Sequence, residues 1–287
     1  MIRLAAVPAL LLLAGGGATS PSIDIAGVAE QGALLRGTAP PGTQSLTLDG
    51  QPVPLGPGGR FVVGLDRDRT QEAVLAARLP DGSTAERRIG VQPRAWRIER
   101  IAGIRRPAVP SADFLRLREA ELARIAAARA ADSSAGGWSQ RFIWPARGRI
   151  SGAFGAQRFY GAEPAAFHAG VDVAARAGTV VIAPADGVVV LAGPPRFSLE
   201  GNLVILDHGL GLNSAFLHLS TVAVAVGQAV RQGEPIGTVG MTGRATGPHL
   251  HWAVRWREAR IDPAPLAGPM APPTVRAGAS PSPPAAR

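Results

Sequence analysis

All five histidines of this 287-residue chain lie in its C-terminal half, at His168, His208, His218, His249 and His251. Imidazole is the side chain that most readily gains or loses a proton near neutral pH, and it is a frequent metal ligand. The chain contains no cysteine, so thiolate metal sites, cysteine nucleophiles and disulfides are excluded. The sequence therefore predicts a histidine-based site in the C-terminal half.

Two short segments place potential ligands together. In His168-Ala-Gly-Val-Asp172 a histidine and a carboxylate stand four residues apart, and Gly170 lets the backbone bend so that both can face one ion. In His249-Leu-His251 the two imidazoles share one face if the segment is a strand. The other face is then apolar: Leu250, Trp252, Val254 and Trp256. For the first segment the alternative is that the spacing arose by chance. For the second it is a pair of surface histidines with ordinary hydrogen bonds.

The other two histidines have weaker local signals. His218 follows Ser214-Ala-Phe-Leu, where a hydrogen-bonded core histidine is an alternative to a catalytic one. His208 follows an apolar run and is expected to be a turn residue or to support the site without joining it. Arg255 shares the predicted strand face of His249 and His251, so we expect it near any site that these histidines form, where it would hold a carboxylate of the bound molecule. A surface ion pair is the alternative for Arg255.

Taken together, the segments favour a metal centre. His168, Asp172 and a second histidine would supply three protein ligands and leave one open position, as a catalytic zinc requires. Such a zinc lowers the pKa of its bound water toward about 7. Two further histidines beside it can accept a proton or stabilise developing negative charge. The spacing alone does not decide which histidine is the third ligand.

Two β-rich regions joined by a helix are predicted to position these residues. Residues 21–108 show short apolar runs between turns, such as Ser45 to Leu48 before Asp49-Gly50, and indicate a small β-sandwich-like domain. Residues 140–266 contain near-continuous apolar runs at 180–183, 187–191 and 203–206, which indicate a second β domain. The fold class predicted from these patterns is mainly β.

Residues 109–139 are predicted to be a linker helix followed by a flexible joint. Ser111 can cap the helix, which is expected to run to about Ala131. Its buried stripe is expected to comprise Phe114, Leu115, Leu117, Leu122 and Ile125. Its solvated face is expected to comprise Arg116, Arg118, Glu119, Glu121 and Arg124.

The two ends of the chain are predicted to lie outside the domains. Residues 1–20 combine Arg3, an apolar run from Leu4 to Leu13 and small residues, which is typical of a secretory signal peptide. Residues 267–287 are rich in proline and alanine and are predicted to be disordered. The protein is thus expected to be periplasmic or secreted, with no transmembrane segment after signal removal.

Charge suggests an anionic partner other than nucleic acid. The net charge is +9, and every basic residue apart from the histidines is an arginine. The arginines are scattered, and no nucleic-acid-binding motif is present, so binding of nucleic acid is not expected. An anionic polymer such as cell wall suits this charge.

These segments, in this order, resemble peptidase family M23, the lysostaphin or LytM type, from about residue 142 to 266. Phe216 stands where relatives often carry tyrosine, which removes a hydroxyl but no ligand. The last of the matching strings is the most specific. In chain order they are Gly152-Ala-Phe-Gly155, Phe167-His-Ala-Gly-Val-Asp172, Gly178-Thr-Val-Val181, Ala183-Pro-Ala-Asp-Gly187, Phe216-Leu-His-Leu-Ser220, Gly237-Thr-Val-Gly240 and Thr242-Gly-Arg-Ala-Thr-Gly-Pro-His-Leu-His251.

The resemblance implies a C-terminal antiparallel β-sheet that carries its site in a groove. It implies one Zn²⁺ per chain held by His168, Asp172 and His251, with His218 and His249 as the catalytic pair. The implied activity is zinc-dependent hydrolysis of the peptide cross-links of bacterial peptidoglycan. The alternative is a non-enzymatic relative that activates another cell-wall hydrolase, a class in which loss of zinc ligands is expected. In either case a cell-wall or divisome protein is expected as a partner through the N-terminal domain.

Overall fold

The computed structural model describes residues 21–101, 110–160 and 163–270. The predicted signal segment, and the predicted tail from residue 271 onward, lie outside these ranges. Within them the chain is mainly β and its strand pairs are antiparallel apart from one, which confirms the predicted fold class. None of the helices in these ranges has the length and apolar character needed to cross a membrane.

The N-terminal strands form two antiparallel sheets. The turn predicted at Asp49-Gly50 joins two of the strands, and both residues have positive φ, 51° and 78°, as a tight hairpin requires. The first sheet has the order β1 (Asp24–Ala26), β2 (Leu34–Thr38), β5 (Arg60–Gly64), and the second has the order β4 (Gln51–Val53), β3 (Ser45–Leu48), β6 (Ala73–Arg78), β7 (Thr84–Ile89). Both sheets bury side chains in the main core. Their arrangement as a sandwich stays a prediction.

A small third sheet joins the N-terminal and C-terminal halves of the chain. Its strands are β8 (Ile98–Ile101), β10 (Gln157–Tyr160) and β11 (Glu163–Pro164), with β8 and β10 forming the parallel pair. The backbone of Tyr160 lies in β10, and its side chain is outside the described part of the structure.

The linker helix α1 (Ala112–Arg129) begins where the sequence predicts, because the Ser111 side chain accepts a hydrogen bond from the Phe114 N–H. The predicted faces are only partly right, however: Phe114 and Ile125 face the protein as expected, but the three leucines and two of the charged residues lie on the opposite side from the one predicted. Leu115, Leu117 and Leu122 are about half exposed, whereas Glu121 is only 4% exposed. The side facing the protein is Phe114, Arg118, Glu121, Ile125 and Ala128, at spacings of three and four residues. Glu121 can be buried there because Ser198 donates two hydrogen bonds to its carboxylate.

The C-terminal half is built on an eight-stranded antiparallel sheet. In order across the sheet, its strands are β18 (Ala229–Val230), β14 (Gly187–Leu191), β15 (Asn202–Asp207), β16 (Leu212–Leu219), β20 (His249–Trp256), β12 (Val171–Ala174) and β9 (Arg149–Gly152), with β21 (Ala259–Ile261) paired to β20. A smaller sheet has the order β13 (Val180–Ile182), β19 (Pro235–Thr238), β17 (Thr221–Val222). The short helix α2 (Pro263–Ala267) follows β21.

Strand β20 alternates as predicted. Leu250, Trp252, Val254 and Trp256 are buried, and His249, His251, Ala253 and Arg255 are partly exposed on the opposite face. Trp252 is fully buried against Phe142 and Trp144, with ring centroids 6.5 and 5.7 Å away. The apolar face of β20 therefore anchors the strand that carries two histidines on its other face.

Replacing Trp252 by alanine should lower the free energy of unfolding by about 3–5 kcal/mol, because the loss of a buried indole leaves a cavity between Phe142 and Trp144. Chemical denaturation of the purified protein measures this change. Leu115→Ala on the exposed side of α1 is the matched control and should change stability by less than about 1 kcal/mol. Equal effects of the two substitutions would contradict the assignment of the two faces.

Candidate metal centre and catalytic site

Neighbouring strands bring Asp172 and His251 together. Residues of β12 and β20 pair across the sheet, and Asp172 lies directly opposite His251. The Asp172 Oδ1 atom is 2.8 Å from Nδ1 of His251. Although 79 residues separate them in the chain, their contact follows from one strand pairing.

His168 completes the group from the segment just before β12. The His168 Nε2 atom is 3.0 Å from Asp172 Oδ1 and 3.1 Å from His251 Nδ1. The Nδ1 atom of His168 lies 3.0 Å from the carbonyl oxygen of Ala153, which only accepts hydrogen bonds. In neutral His168 the proton is therefore on Nδ1, and a lone pair on Nε2 faces the other two residues.

This donor set fits a cation. Three atoms with lone pairs converge within about 3 Å of one another, and like partial charges at that distance repel unless a proton or a cation lies between them. Tetrahedral bonds to zinc of about 2.0–2.2 Å place neighbouring ligand atoms about 3.3–3.6 Å apart, close to these spacings. One carboxylate and two imidazoles also form a zinc ligand set with a fourth position open.

Two glycines leave room for these side chains. A Cβ atom on Gly152, which pairs with Asp172 in β9, would lie 2.4 Å from the Asp172 carboxylate. A Cβ atom on Gly170 would lie 2.8 Å from Nε2 of His251. Both glycines stand in the strings that the sequence singled out, although only Gly170 was given a role there, as a point where the backbone bends.

The protonation of the group suits metal binding. Burial by itself would raise the pKa of the Asp172 carboxyl. The imidazoles of His168 and His251 donate to the carboxylate whenever one of them carries a proton on the facing nitrogen, and this effect outweighs burial and holds the pKa of Asp172 well below its usual range. Burial lowers the pKa of His251, which favours the neutral imidazole. An ionised carboxylate and neutral imidazoles are the forms that bind metal.

His218 and His249 lie beside this group. Their ring centroids are 4.8 Å apart, and the His218 ring is 6.3 Å from the His251 ring. The His249 Nε2 atom is 3.8 Å from Asp172 Oδ1. The structure thus brings together all five residues predicted for the site, and the only other histidine, His208, is held elsewhere.

Both additional imidazoles have one nitrogen committed to the backbone. Nδ1 of His218 donates to the carbonyl oxygen of Thr242, and Nδ1 of His249 donates to that of Gly247, each at 2.8 Å. Each neutral ring therefore has its lone pair on Nε2. Burial lowers the pKa of His218, so its neutral form is favoured. The arrangement can accept a proton at Nε2 or, once protonated, stabilise a negative charge there.

Residues that the sequence analysis did not assign to the site hold its backbone. Glu200 accepts two hydrogen bonds from Arg118 of α1, at 2.7 and 2.6 Å, and its carbonyl oxygen accepts the His218 N–H at 2.8 Å. His218 itself has a φ of 63°, a conformation that needs such fixed neighbours. Arg118 and Glu200 are 82 residues apart, so their pairing has no local sequence signal.

The N-terminal half holds the His168 segment in a similar way. The Arg67 guanidinium stacks over the Phe167 ring at 4.5 Å and donates to the carbonyl oxygen of Gly155 at 2.8 Å. Gly155 in turn donates its N–H to the carbonyl oxygen of His168. The segment that carries the first potential ligand is therefore supported by both halves of the chain.

His208 has a structural environment away from the group. It is fully buried, and its Nδ1–H donates to the carbonyl oxygen of Asp186. The Ser214 hydroxyl donates to its Nε2, and the same hydroxyl oxygen accepts from the Trp252 indole. Desolvation lowers the pKa of His208 to about 4. Through Ser214, His208 is linked to Trp252 of β20, and its role in supporting the site stays a prediction.

His208 should make the fold less stable as the pH falls from 6.5 to 4. Its pKa is lower in the folded than in the unfolded chain, so the unfolded chain binds the extra proton first and stability is lost on acidification. The difference between about 4 and the ordinary 6.5 corresponds to about 3 kcal/mol. Denaturation at several pH values should show a shallower acid loss for His208→Gln than for the unsubstituted chain, and parallel curves would contradict the prediction.

Two comparisons by sequence place the C-terminal half among known proteins. The model of peptidase family M23 matches residues 166–263. The DD-carboxypeptidase/endopeptidase Mpg of Neisseria meningitidis is 42% identical over 121 residues, which are 42% of this chain and 27% of that protein. The peptidoglycan DD-endopeptidase ShyA of Vibrio cholerae is 40% identical over 114 residues, which are 39% of this chain and 26% of that protein. The match thus spans about a quarter of each relative.

A solved structure resembles a larger part of the chain. The crystal structure of a putative peptidase M23 from Pseudomonas aeruginosa superposes with a TM-score of 0.63 at 31% identity. The superposition covers 84% of this chain and 95% of the other. The similarity therefore extends beyond the C-terminal sheet to most of the N-terminal half.

Proposed function

This chain belongs to peptidase family M23, and we propose that it is a zinc-dependent endopeptidase that hydrolyses the peptide cross-links of bacterial peptidoglycan. The observation that carries the proposal is the meeting of three potential ligand atoms with two further imidazoles on one face of the sheet. The names of the two relatives, a DD-carboxypeptidase/endopeptidase and a peptidoglycan DD-endopeptidase, support peptidoglycan as the proposed substrate.

In this proposal His168, Asp172 and His251 hold the zinc ion. Zinc, when bound, supplies a Lewis acid that polarises the scissile carbonyl and lowers the pKa of a water molecule. His218 and His249 handle the protons: an Nε2 lone pair accepts one from the attacking water, and the same nitrogen returns it to the leaving amine. The backbone carbonyls of Thr242 and Gly247 fix the two rings in the tautomer that this role needs.

The complete ligand set supports the enzyme over a non-enzymatic activator of another hydrolase. An activator needs the fold and a binding surface, and nothing in that role would keep three lone-pair atoms within about 3 Å of one another. Export to the periplasm or beyond is part of the proposal and is supported by the basic and apolar pattern of residues 1–20.

The test is digestion of purified peptidoglycan by the protein with residues 1–20 removed. With one equivalent of zinc, cross-linked dimers should be converted to uncross-linked products, as seen by chromatography and mass spectrometry. A chelator should stop the reaction, and added zinc should restore it. Intact dimers in the presence of protein that holds one zinc per chain would contradict the proposal, and stimulation of a second wall hydrolase under the same conditions would identify the activator.

A further inference from the structure

Two guanidinium groups lie near each other on the side of β20 that carries His249 and His251. Arg255 is on that face of the strand, four residues beyond His251. Arg129 ends α1 and directly follows Ala128, which packs in the same apolar cluster as Ala253 of β20. Burial, and after it the positive charge of Arg255, lower the pKa of Arg129 to about 10. The helix borders this face, because Ile125 and Ala128 of α1 pack in one cluster with Leu217 and Ala253.

Neither guanidinium has a matched carboxylate. Arg129 makes no hydrogen bond or ion pair within the described part of the chain, and its buried Nε atom has no partner there. Arg255 has one ion pair, to Glu258 at 3.7 Å, and the Glu258 side chain is 99% exposed. Burial also lowers the pKa of Arg255. Partly buried cations without close counter-charges are unfavourable for folding and therefore call for another explanation.

The other acidic residues nearby are already engaged. Glu200 is held by both terminal nitrogens of Arg118, at 2.7 and 2.6 Å. Asp66 accepts hydrogen bonds from the backbone N–H, Nε and a terminal nitrogen of Arg260, at 2.9 to 3.0 Å. Among the described acidic residues that act on the two arginines, this leaves Glu258, which lies in solvent. The pair thus presents unmatched positive charge beside the face of β20 that carries His249 and His251.

We propose that Arg129 and Arg255 form a subsite for a carboxylate of the peptide substrate, an inference that rests on the proposed function. Guanidinium groups bind carboxylates through paired hydrogen bonds. Four residues of extended strand separate His251 from Arg255, which corresponds to about 13 Å. A peptide that lies extended along β20 would therefore place a carboxylate three or four residues from its scissile bond at this pair.

The linker helix then takes part in substrate recognition. Arg129 belongs to α1, which precedes the residues matched by the family model, so the subsite needs both parts of the chain. Substrates with a free carboxylate at that distance would be preferred over otherwise identical peptides in which the group is an amide. The preference is a property of binding and should not alter the chemical step.

The test uses two synthetic peptides that differ only in this group, a carboxylate or an amide, three residues from the scissile bond. A reduced bond at the scissile position prevents cleavage, so that calorimetry with the zinc-loaded protein gives dissociation constants. The carboxylate peptide should bind about 10-fold more tightly than the amide peptide. This factor is at the lower end of the range for hydrogen bonds between charged groups, because the Arg255 side chain is 28% exposed and water weakens the interaction. In Arg129→Gln or Arg255→Gln this ratio should fall to about twofold or less.

Controls separate a binding role from a structural one. Arg116→Gln removes one charge from the same helix at a side chain that is 72% exposed, and it should leave the ratio unchanged. Arg129→Lys keeps the charge without the planar fork and should give an intermediate ratio. Equal weakening of both peptides in Arg129→Gln, or a ratio near one in the unsubstituted protein, would overturn the subsite.

Failure of the subsite can be told apart from failure of the proposed activity. Hydrolysis of the cleavable versions, measured in parallel, should show the carboxylate effect in KM with kcat changed less than about twofold. A tenfold binding ratio without any hydrolysis would retain the subsite and reject the peptidase. Hydrolysis with equal KM for both peptides would retain the peptidase and reject the subsite.

Discussion

Replacing His249 by alanine, or His218 by asparagine, should reduce hydrolysis of peptidoglycan by about 10²–10⁴-fold while one zinc per chain remains bound. Asparagine is chosen at position 218 because the φ of 63° is strained for alanine and is better tolerated by asparagine. Initial rates on a soluble cross-linked peptide measure the loss, and elemental analysis of the same samples measures the zinc.

The large effect is expected because each ring offers one reactive nitrogen in a fixed position. Hydrogen bonds from Nδ1 to the Thr242 and Gly247 carbonyls leave Nε2 as the sole base on each ring. The His249 Nε2 atom is already 3.8 Å from Asp172, so a substrate group held at the metal would be within reach of it. Neither substitute side chain can replace that nitrogen.

The alternative is that one of these histidines is a ligand. If a variant loses its zinc together with its activity, the replaced histidine is a ligand and His251 takes the catalytic role instead. The exchange is geometrically possible for His218, because its ring centroid lies 6.3 Å from that of His251. Thermal unfolding of each variant with zinc should match the unsubstituted protein within a few degrees. A variant that keeps both zinc and activity would remove its histidine from the mechanism.

The histidine face of β20 could be predicted from the sequence because strand periodicity is a local property. Alternating residues from His249 to Trp256 must point to opposite sides, whatever the strand pairs with. The contact of Asp172 with His251 could not be derived in this way, since it depends on the pairing register of β12 and β20. Before the structure, only the family resemblance placed Asp172 and His251 together, as ligands of one zinc ion.

The face of α1 was predicted only in part, for a related reason. A helix that packs on apolar residues alone would bury its leucines, and this helix instead buries Glu121 and part of Arg118. Their partners, Ser198 and Glu200, lie about 80 residues further along the chain. Because charged groups become favourable in a buried stripe only when such partners are present, the sequence of the helix could not reveal its orientation.

Removing the carboxylate of Asp172 should abolish tight zinc binding. Asp172→Ala should weaken the affinity by more than about 100-fold, because loss of a group that merely orients a ligand already costs about 10–100-fold. In the alanine variant the two imidazole nitrogens, 3.1 Å apart, remain as ligands. The negative charge that attracts the zinc ion to them is lost. Competition with a chromophoric chelator gives the affinity, and elemental analysis after dialysis gives the occupancy.

Two further variants make the result specific to the carboxylate charge. Asp172→Asn keeps the shape and one acceptor oxygen, so it should bind zinc more weakly than the unsubstituted protein and more tightly than Asp172→Ala. Asp113→Ala removes a carboxylate that is 88% exposed on α1 and should bind zinc normally. Full zinc occupancy in Asp172→Ala would show that the ion is held by another set of residues. The assignment of His168 and His251 as ligands would then also be wrong, because the three potential ligand atoms lie within 4.8 Å of one another and form one site.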